Sequence, residues 1–140
     1  MILIGDIGNT EIKICLFTPK FKLNKRIILK TNSVNNKYLS KKLNFLNSKS
    51  VKIKKILFSS VVPNVFKKIK LFLKNKVKIR CLELKQLNLK NLIKIKVNKK
   101  QVGSDRLANS ISVIDAKKNY IIIDFGTATT FDVLIKKKYL

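Results

Sequence analysis

Two short stretches of the chain share one plan. Ile4-Gly5-Asp6-Ile7-Gly8-Asn9-Thr10 and Ile122-Ile123-Asp124-Phe125-Gly126-Thr127-Ala128 each run from an apolar strand through an aspartate and one further apolar residue into a glycine turn. Glycine admits positive φ and lets the backbone close on a ligand, so successive amide N–H groups can cradle phosphate oxygens. An aspartate at the end of a buried strand can hold, directly or through water, a cation that offsets the phosphate charge. Asn9, Thr10, Thr127, Thr129 and Thr130 add side-chain donors. One such stretch is equally a β-hairpin whose turn is capped by its aspartate. Two of them in one short chain favour phosphate binding and suggest a duplicated fold. Lys13 sits on the outward face of the strand after the first turn, where a lysine is either solvated or within reach of a phosphate.

A third constellation, Gly103-Ser104-Asp105-Arg106, stands where a helical pattern begins. Helix starts stabilise anions through their free N–H groups and the helix dipole. Two readings stay open on spacing alone. In one, Ser104 or Asp105 is an N-cap and Arg106 a solvated helix residue. In the other, Asp105 is a general base and Arg106 a bidentate clamp for a substrate carboxylate.

The elements that must position these residues follow from hydrophobic period. Residues 2–7 predict a strand, 8–10 a turn, and 11–17 a second strand with Ile12, Ile14 and Leu16 on one face. Arg26 to Lys30 predicts a third strand, and Leu39, Leu43 and Leu46 lie at helical spacing. A buried strand from Ile56 to Val62 runs to Pro63. An amphipathic helix follows, with Val65, Phe66, Ile69, Phe72 and Leu73 on one face. Val77 to Leu82 predicts another strand, and residues 85–100 show little pattern. Beyond them come the helix carrying Leu107, Ala108, Ile111 and Ile114, a strand from Tyr120 to Asp124, the second glycine turn, and a strand from Phe131 to Ile135. The order βββαβαβ predicts an α/β layer with a mixed sheet, followed by the first hairpin of a second domain. The expected division is 1–118 and 119–140.

The chain of 140 residues is long enough for an ordinary core. Its net charge of +25, from 32 basic and 7 acidic residues, raises a nucleic-acid partner. Arginine occurs only at Arg26, Arg80 and Arg106, and lysine is spread along the chain with abundant isoleucine and asparagine. That profile fits a compositional bias better than a surface selected for a polyanion, which draws on arginine's planar fork. Cys15 and Cys81 are far apart and histidine is absent, which leaves no redox pair and no zinc ligand set. The N-terminus lacks a basic region and meets Asp6 early, unlike a signal peptide. No apolar run reaches the about 20 residues of a membrane helix. A soluble, cytoplasmic protein is expected.

Taken in order, Asp6-x-Gly8-Asn9-Thr10-x-x-Lys13, Ser59-Ser60-Val61-Val62-Pro63, Gly103-x-Asp105-Arg106-Leu107-Ala108-Asn109 and Asp124-x-Gly126-Thr127-Ala128-Thr129-Thr130 resemble the successive motifs of type III pantothenate kinases. The resemblance implies an actin-like (ribonuclease H-like) ATPase fold of two domains with ATP between them. It also implies phosphorylation of the pantothenate hydroxyl to 4'-phosphopantothenate, the first step of coenzyme A synthesis. By the same resemblance, Asp6, Ile7, Gly8, Asn9, Thr10, Glu11, Ile12 and Lys13 bind ATP, and Thr127 contacts it from the second turn. Gly103, Ser104, Asp105 and Arg106 hold pantothenate, with Asp105 accepting its hydroxyl proton. Asp124 binds a monovalent cation, K⁺ or NH₄⁺, and Mg²⁺ accompanies ATP. The implied assembly is a homodimer, with no membrane and no specific nucleic acid as partner. Such an inventory suits phosphoryl transfer, which needs mainly positioning and charge neutralisation.

The chain departs from the family pattern at Lys96 and Lys99, where a tyrosine and a proline are common. Family members also run well beyond residue 140. A lone two-stranded hairpin is marginal in water. The apolar residues Ile121, Ile122, Ile123, Phe125, Phe131, Val133, Leu134 and Ile135 are therefore expected to lack partners, leaving the chain aggregation-prone or partly unfolded beyond Asn119, and inactive alone. A non-catalytic accessory relative on the same scaffold and a basic nucleic-acid-binding protein are the alternatives.

Overall fold

A computed structural model describes residues 1–140 and divides them into two compact units, Met1–Glu83 and Leu84–Leu140. The first unit opens with three antiparallel strands, β1 (Ile2–Ile7), β2 (Glu11–Phe17) and β3 (Leu23–Lys30). Helix α1 (Asn36–Lys42) leads to β4 (Lys55–Ser60), α2 (Pro63–Val77) and β5 (Cys81–Glu83). The sheet order is β3-β2-β1-β4-β5, antiparallel from β3 to β1 and parallel from β1 to β5. The expected mixed sheet of order βββαβαβ is therefore present.

Alternation decides which face is dry. Leu3 and Ile7 of β1, with Ile12, Ile14 and Leu16 of β2, are buried on one side of the sheet. Phe66, Ile69 and Leu73, the apolar stripe of α2, belong to the same core. Pro63 starts that helix, where its missing N–H costs nothing. The strand expected over Val77–Leu82 is shorter. The helix runs through Val77, Lys78 turns left-handed at φ 56° to end it, and only Cys81–Glu83 are extended. An apolar Val77 extends the α2 stripe as readily as it starts a strand, so period alone does not separate the two. Burial pushes the Cys81 thiol up to about 11, leaving it little thiolate for reaction.

Gly5 is packed by contact. A Cβ there would lie 2.0 Å from Cε1 and 2.3 Å from Cδ1 of Phe58, its neighbour across β1 and β4, and that ring is buried. Gly5→Ala should therefore cost about 1–3 kcal/mol, read as a lower denaturation midpoint at unchanged m. The added cost should shrink in a Phe58→Leu background, because neighbouring substitutions couple. An equal cost in both backgrounds would clear the ring of blame.

The second unit contains β6 (Lys94–Ile95), α3 (Ser104–Val113), β7 (Asn119–Phe125), β8 (Thr129–Ile135) and β9 (Lys138–Tyr139). Its sheet order is β6-β9-β8-β7. Strands β6 and β9 were not anticipated. Each spans two residues, too few to show a period. The hairpin of β7 and β8 is thus not alone. On one face Tyr120, Ile122 and Leu134 pack with Leu107 and Ile111 of α3 and with Tyr139 of β9, which corrects the expectation of missing partners for Ile122 and Leu134. On the other face Ile121, Ile123, Phe125, Phe131, Val133 and Ile135 are exposed, Phe125 by 81% and Ile121 by 70%. Helix α3 buries Leu107 in this core, so the compact division falls at 83/84, earlier than the expected 118/119. No helix is long and apolar enough to cross a membrane.

Candidate functional site

In the first unit the residues around the opening turn sit on adjacent strands. Asp6, half-buried near the end of β1, lies opposite Lys13 of β2 and Ser59 of β4. Directly paired residues present their side chains to the same face. The carboxylate, the ammonium and the serine hydroxyl therefore share one side of the sheet. The Ser59 Oγ is buried with no hydrogen-bond partner. A buried hydroxyl left so is a cost that a bound polar group would remove.

The turn is held by its backbone. The Gly8 N–H donates to Glu11 O at 2.9 Å, Thr31 Oγ1 donates to Gly8 O at 2.8 Å, and the Thr31 N–H donates to Thr10 O at 3.0 Å. Asn9, Thr10, Glu11 and Lys13 remain exposed, while Ile7 and Ile12 are core residues. No glycine has positive φ, so the conformational argument for Gly8 and Gly126 does not hold. What Gly8 offers is room, because a Cβ would stand 3.1 Å from Glu11 O. Gly126 is looser, with 3.7 Å to Ala128 O. Thr31, which pins the turn, was missed. It stands in the undistinguished run Lys30-Thr31-Asn32-Ser33, and only the return of β3 beside β2 brings it to Gly8.

In the second unit the start of α3 meets the inner face of β7 and β8. Gly103 is the N-cap, at φ −59° and ψ 150°, so neither Ser104 nor Asp105 caps the helix. Ser104 is buried in the first turn. Asp105 follows it and accepts the Arg106 N–H through Oδ1 at 2.8 Å, occupying one donor that a helix start leaves open. Asn109, one turn on, donates through Nδ2 to Oδ2 of Asp124 at 2.9 Å. The motif at the helix start and the aspartate of the second turn are thereby joined. Thr127 stands exposed at the tip of that turn. The two candidate half-sites, Asp6 to Lys13 and Gly103 to Arg106 with Asp124, belong to different units.

Arg106 is not a solvated helix residue. Its Nε donates to Oδ1 of Asp132 at 2.8 Å, its Nη2 lies 2.6 Å from the same oxygen, and Nη2 also donates to Phe131 O at 3.0 Å. The hydrogen bond with Asp132 holds the Arg106 proton more tightly than usual. The Tyr139 hydroxyl also donates to Oδ1 of Asp132, and burial, reinforced by that bond, pushes its pKa up to about 12. Asp132 and Tyr139 were overlooked. The available signal was the alternation Thr130-Phe131-Asp132-Val133-Leu134, in which a carboxylate shares a face with Leu134. A charge buried there requires a cationic partner.

The loop before α3 is tied by lysines. Lys85 Nζ donates to Val102 O at 2.8 Å and to Lys100 O at 3.3 Å, and Lys99 Nζ donates to Lys85 O at 3.2 Å.

Comparison with known proteins gives the class first. The fold is that of the actin-like sugar- and acetate-kinase ATPases. A solved structure of a proposed N-acetylglucosamine kinase from Porphyromonas gingivalis is similar over 100% of this chain and 46% of its own, with a TM-score of 0.53 at 16% identity. The chain belongs to the type III pantothenate kinase family, whose model matches residues 2–140. A type III pantothenate kinase from Pelagibacter ubique is 60% identical, over 99% of this chain and 56% of the relative. Relatives of the same description from Ehrlichia canis and a Sulfurihydrogenibium species are 35% and 37% identical, over 99% and 97% of the chain and 55% and 56% of themselves. The chain spans about half the length of the curated relatives it matches.

Proposed function

We propose that the chain supplies the nucleotide turn and part of the pantothenate site of an enzyme that phosphorylates pantothenate with ATP, the first step of coenzyme A synthesis. The observation that carries this reading is the hydrogen bond from Asn109 of α3 to Asp124 of the second turn, beside Asp105 and Arg106 at the start of the same helix, in a chain whose family is that of the type III pantothenate kinases. Asp6 to Lys13 receive the ATP phosphates, with Thr127 as a further contact. Asp105 accepts the proton of the pantothenate hydroxyl. The hydroxyl oxygen forms its bond to the γ-phosphorus as the bond to the β-phosphate oxygen breaks, and ADP leaves with that electron pair. Arg106 offers its Nη1 donors to the substrate carboxylate, and Gly103 and Ser104 shape the site at the helix start.

Mg²⁺ bound with ATP would neutralise phosphate charge, and the Asp6 carboxylate, on the sheet face shared with Lys13 and Ser59, suits a cation of that kind. Asp124, oriented by Asn109, is the residue to hold a monovalent cation, K⁺ or NH₄⁺. A homodimer and a cytoplasmic setting belong to the same reading. The division into a first domain, 1–118, and the start of a duplicated second one, 119–140, remains the evolutionary reading beside the compact units.

The test joins residues 1–140 to the C-terminal remainder of the Pelagibacter ubique relative and measures ADP release. Release that requires pantothenate is expected. Nucleotide binding without any pantothenate-dependent release would instead support a non-catalytic relative.

The lysine excess gives a separate expectation. Binding to DNA should be weak, blind to sequence and steeply salt-dependent, as scattered lysines release counterions without reading bases. Sub-micromolar, sequence-selective binding at physiological salt in a filter or fluorescence assay would overturn it.

A further inference from the structure

We propose that Asp132, backed by Tyr139, is a positioning residue that locks Nε and Nη2 of the Arg106 guanidinium so that Nη1 faces the substrate's anionic group. This rests on the reading of Arg106 as a substrate clamp.

Arg106 occupies the third position of α3, where the helix dipole disfavours a cation. Something must offset that placement. Asp132 does so from the inner face of β8, with its side chain fully buried, while the Arg106 side chain keeps 33% of its surface exposed. Both Nε and Nη2 are engaged, the latter also by Phe131 O. That leaves Nη1, on the opposite edge, with no protein partner. A guanidinium anchored in this way holds the two Nη1 N–H groups in a fixed plane, where an anionic oxygen can accept from them.

Tyr139 adds the third donor to Oδ1 of Asp132, and so fixes the fixer. Oδ2 is buried without a partner, which is a standing cost. A pair kept only for stability could be replaced by apolar side chains at little loss. An oriented arginine could not.

Kinetics on the intact enzyme and ¹⁵N spectra of its arginine side chains test this together. Residues 1–140 contain three arginines, Arg26, Arg80 and Arg106, so the Arg106 Nε–H signal is assigned with one Arg106→Lys variant. Asp132→Asn should raise KM for pantothenate about tenfold or more while leaving KM for ATP unchanged. Its Nε–H signal should exchange faster than in the native protein. Tyr139→Phe, which keeps the ion pair, should move the pantothenate KM the same way by a smaller factor. It carries the test if Asp132→Asn fails to fold, and an unmoved KM there overturns the proposal. If Arg106→Lys raises KM and Asp132→Asn does not, the positioning role is wrong. If neither changes KM, the clamp reading of Arg106 has failed and the proposal falls with it.

Discussion

Asp105→Asn in the intact enzyme should bind ATP as the native protein does and turn over pantothenate about 10²–10⁴-fold more slowly. The substitution isolates the chemistry. Asn keeps an oxygen that can accept the Arg106 N–H, so the first turn of α3 and the course of the helix are preserved. What it loses is a carboxylate able to take a proton from the hydroxyl as the new O–P bond forms. Single-turnover rates measured beside ATP titrations separate that loss from a loss of binding. Native turnover in the variant would leave Asp105 with the role of a hydrogen-bond acceptor at a helix start and nothing more.

The second large effect is expected at the other half-site. Asp6→Ala should weaken ATP binding about a hundredfold, measured by calorimetry with Mg²⁺ present. The carboxylate shares its face of the sheet with Lys13 and with the unpartnered Ser59 hydroxyl, which places it beside the turn that receives the phosphates. Gly8→Val should have a comparable effect for a different reason. Its Cβ must first be accommodated 3.1 Å from Glu11 O, and its two methyl groups then stand over the turn where phosphate oxygens would approach. Native affinity in both variants would remove the turn from the nucleotide site.

Much of this was legible in the sequence because strand period carries it. Ile12, Ile14 and Leu16 alternate with Lys13 and Cys15, and the first hairpin followed directly from that. The stripe of α2 and its proline were equally plain. Less legible were features that depend on neighbours remote in sequence. Thr31 reaches Gly8 across 23 residues, and Tyr139 and Arg106 meet at Asp132 through three separate elements. Gly5 carries a local signal, a glycine inside a strand, but the reason for it is a ring on β4. The start of α3 was placed correctly while its cap was not, because Gly103 caps with backbone alone and leaves Ser104 to be buried.

The pair of Arg106 and the buried Asp132 has a consequence for how the second unit folds. Strands β7 and β8 are apolar on both sides, so a slip of one residue would exchange Ile122 and Leu134 for Ile121, Val133 and Phe131 at little hydrophobic cost. Register is weakly specified when oil faces both ways. The carboxylate breaks that symmetry. Turned outward, Asp132 would be solvated but Arg106 would lose its anchor, and the half-buried guanidinium would be left without its ion-pair partner. Asp132, with Asp124 held by Asn109 on the same face, thus tells the hairpin which of its two greasy sides is the inside.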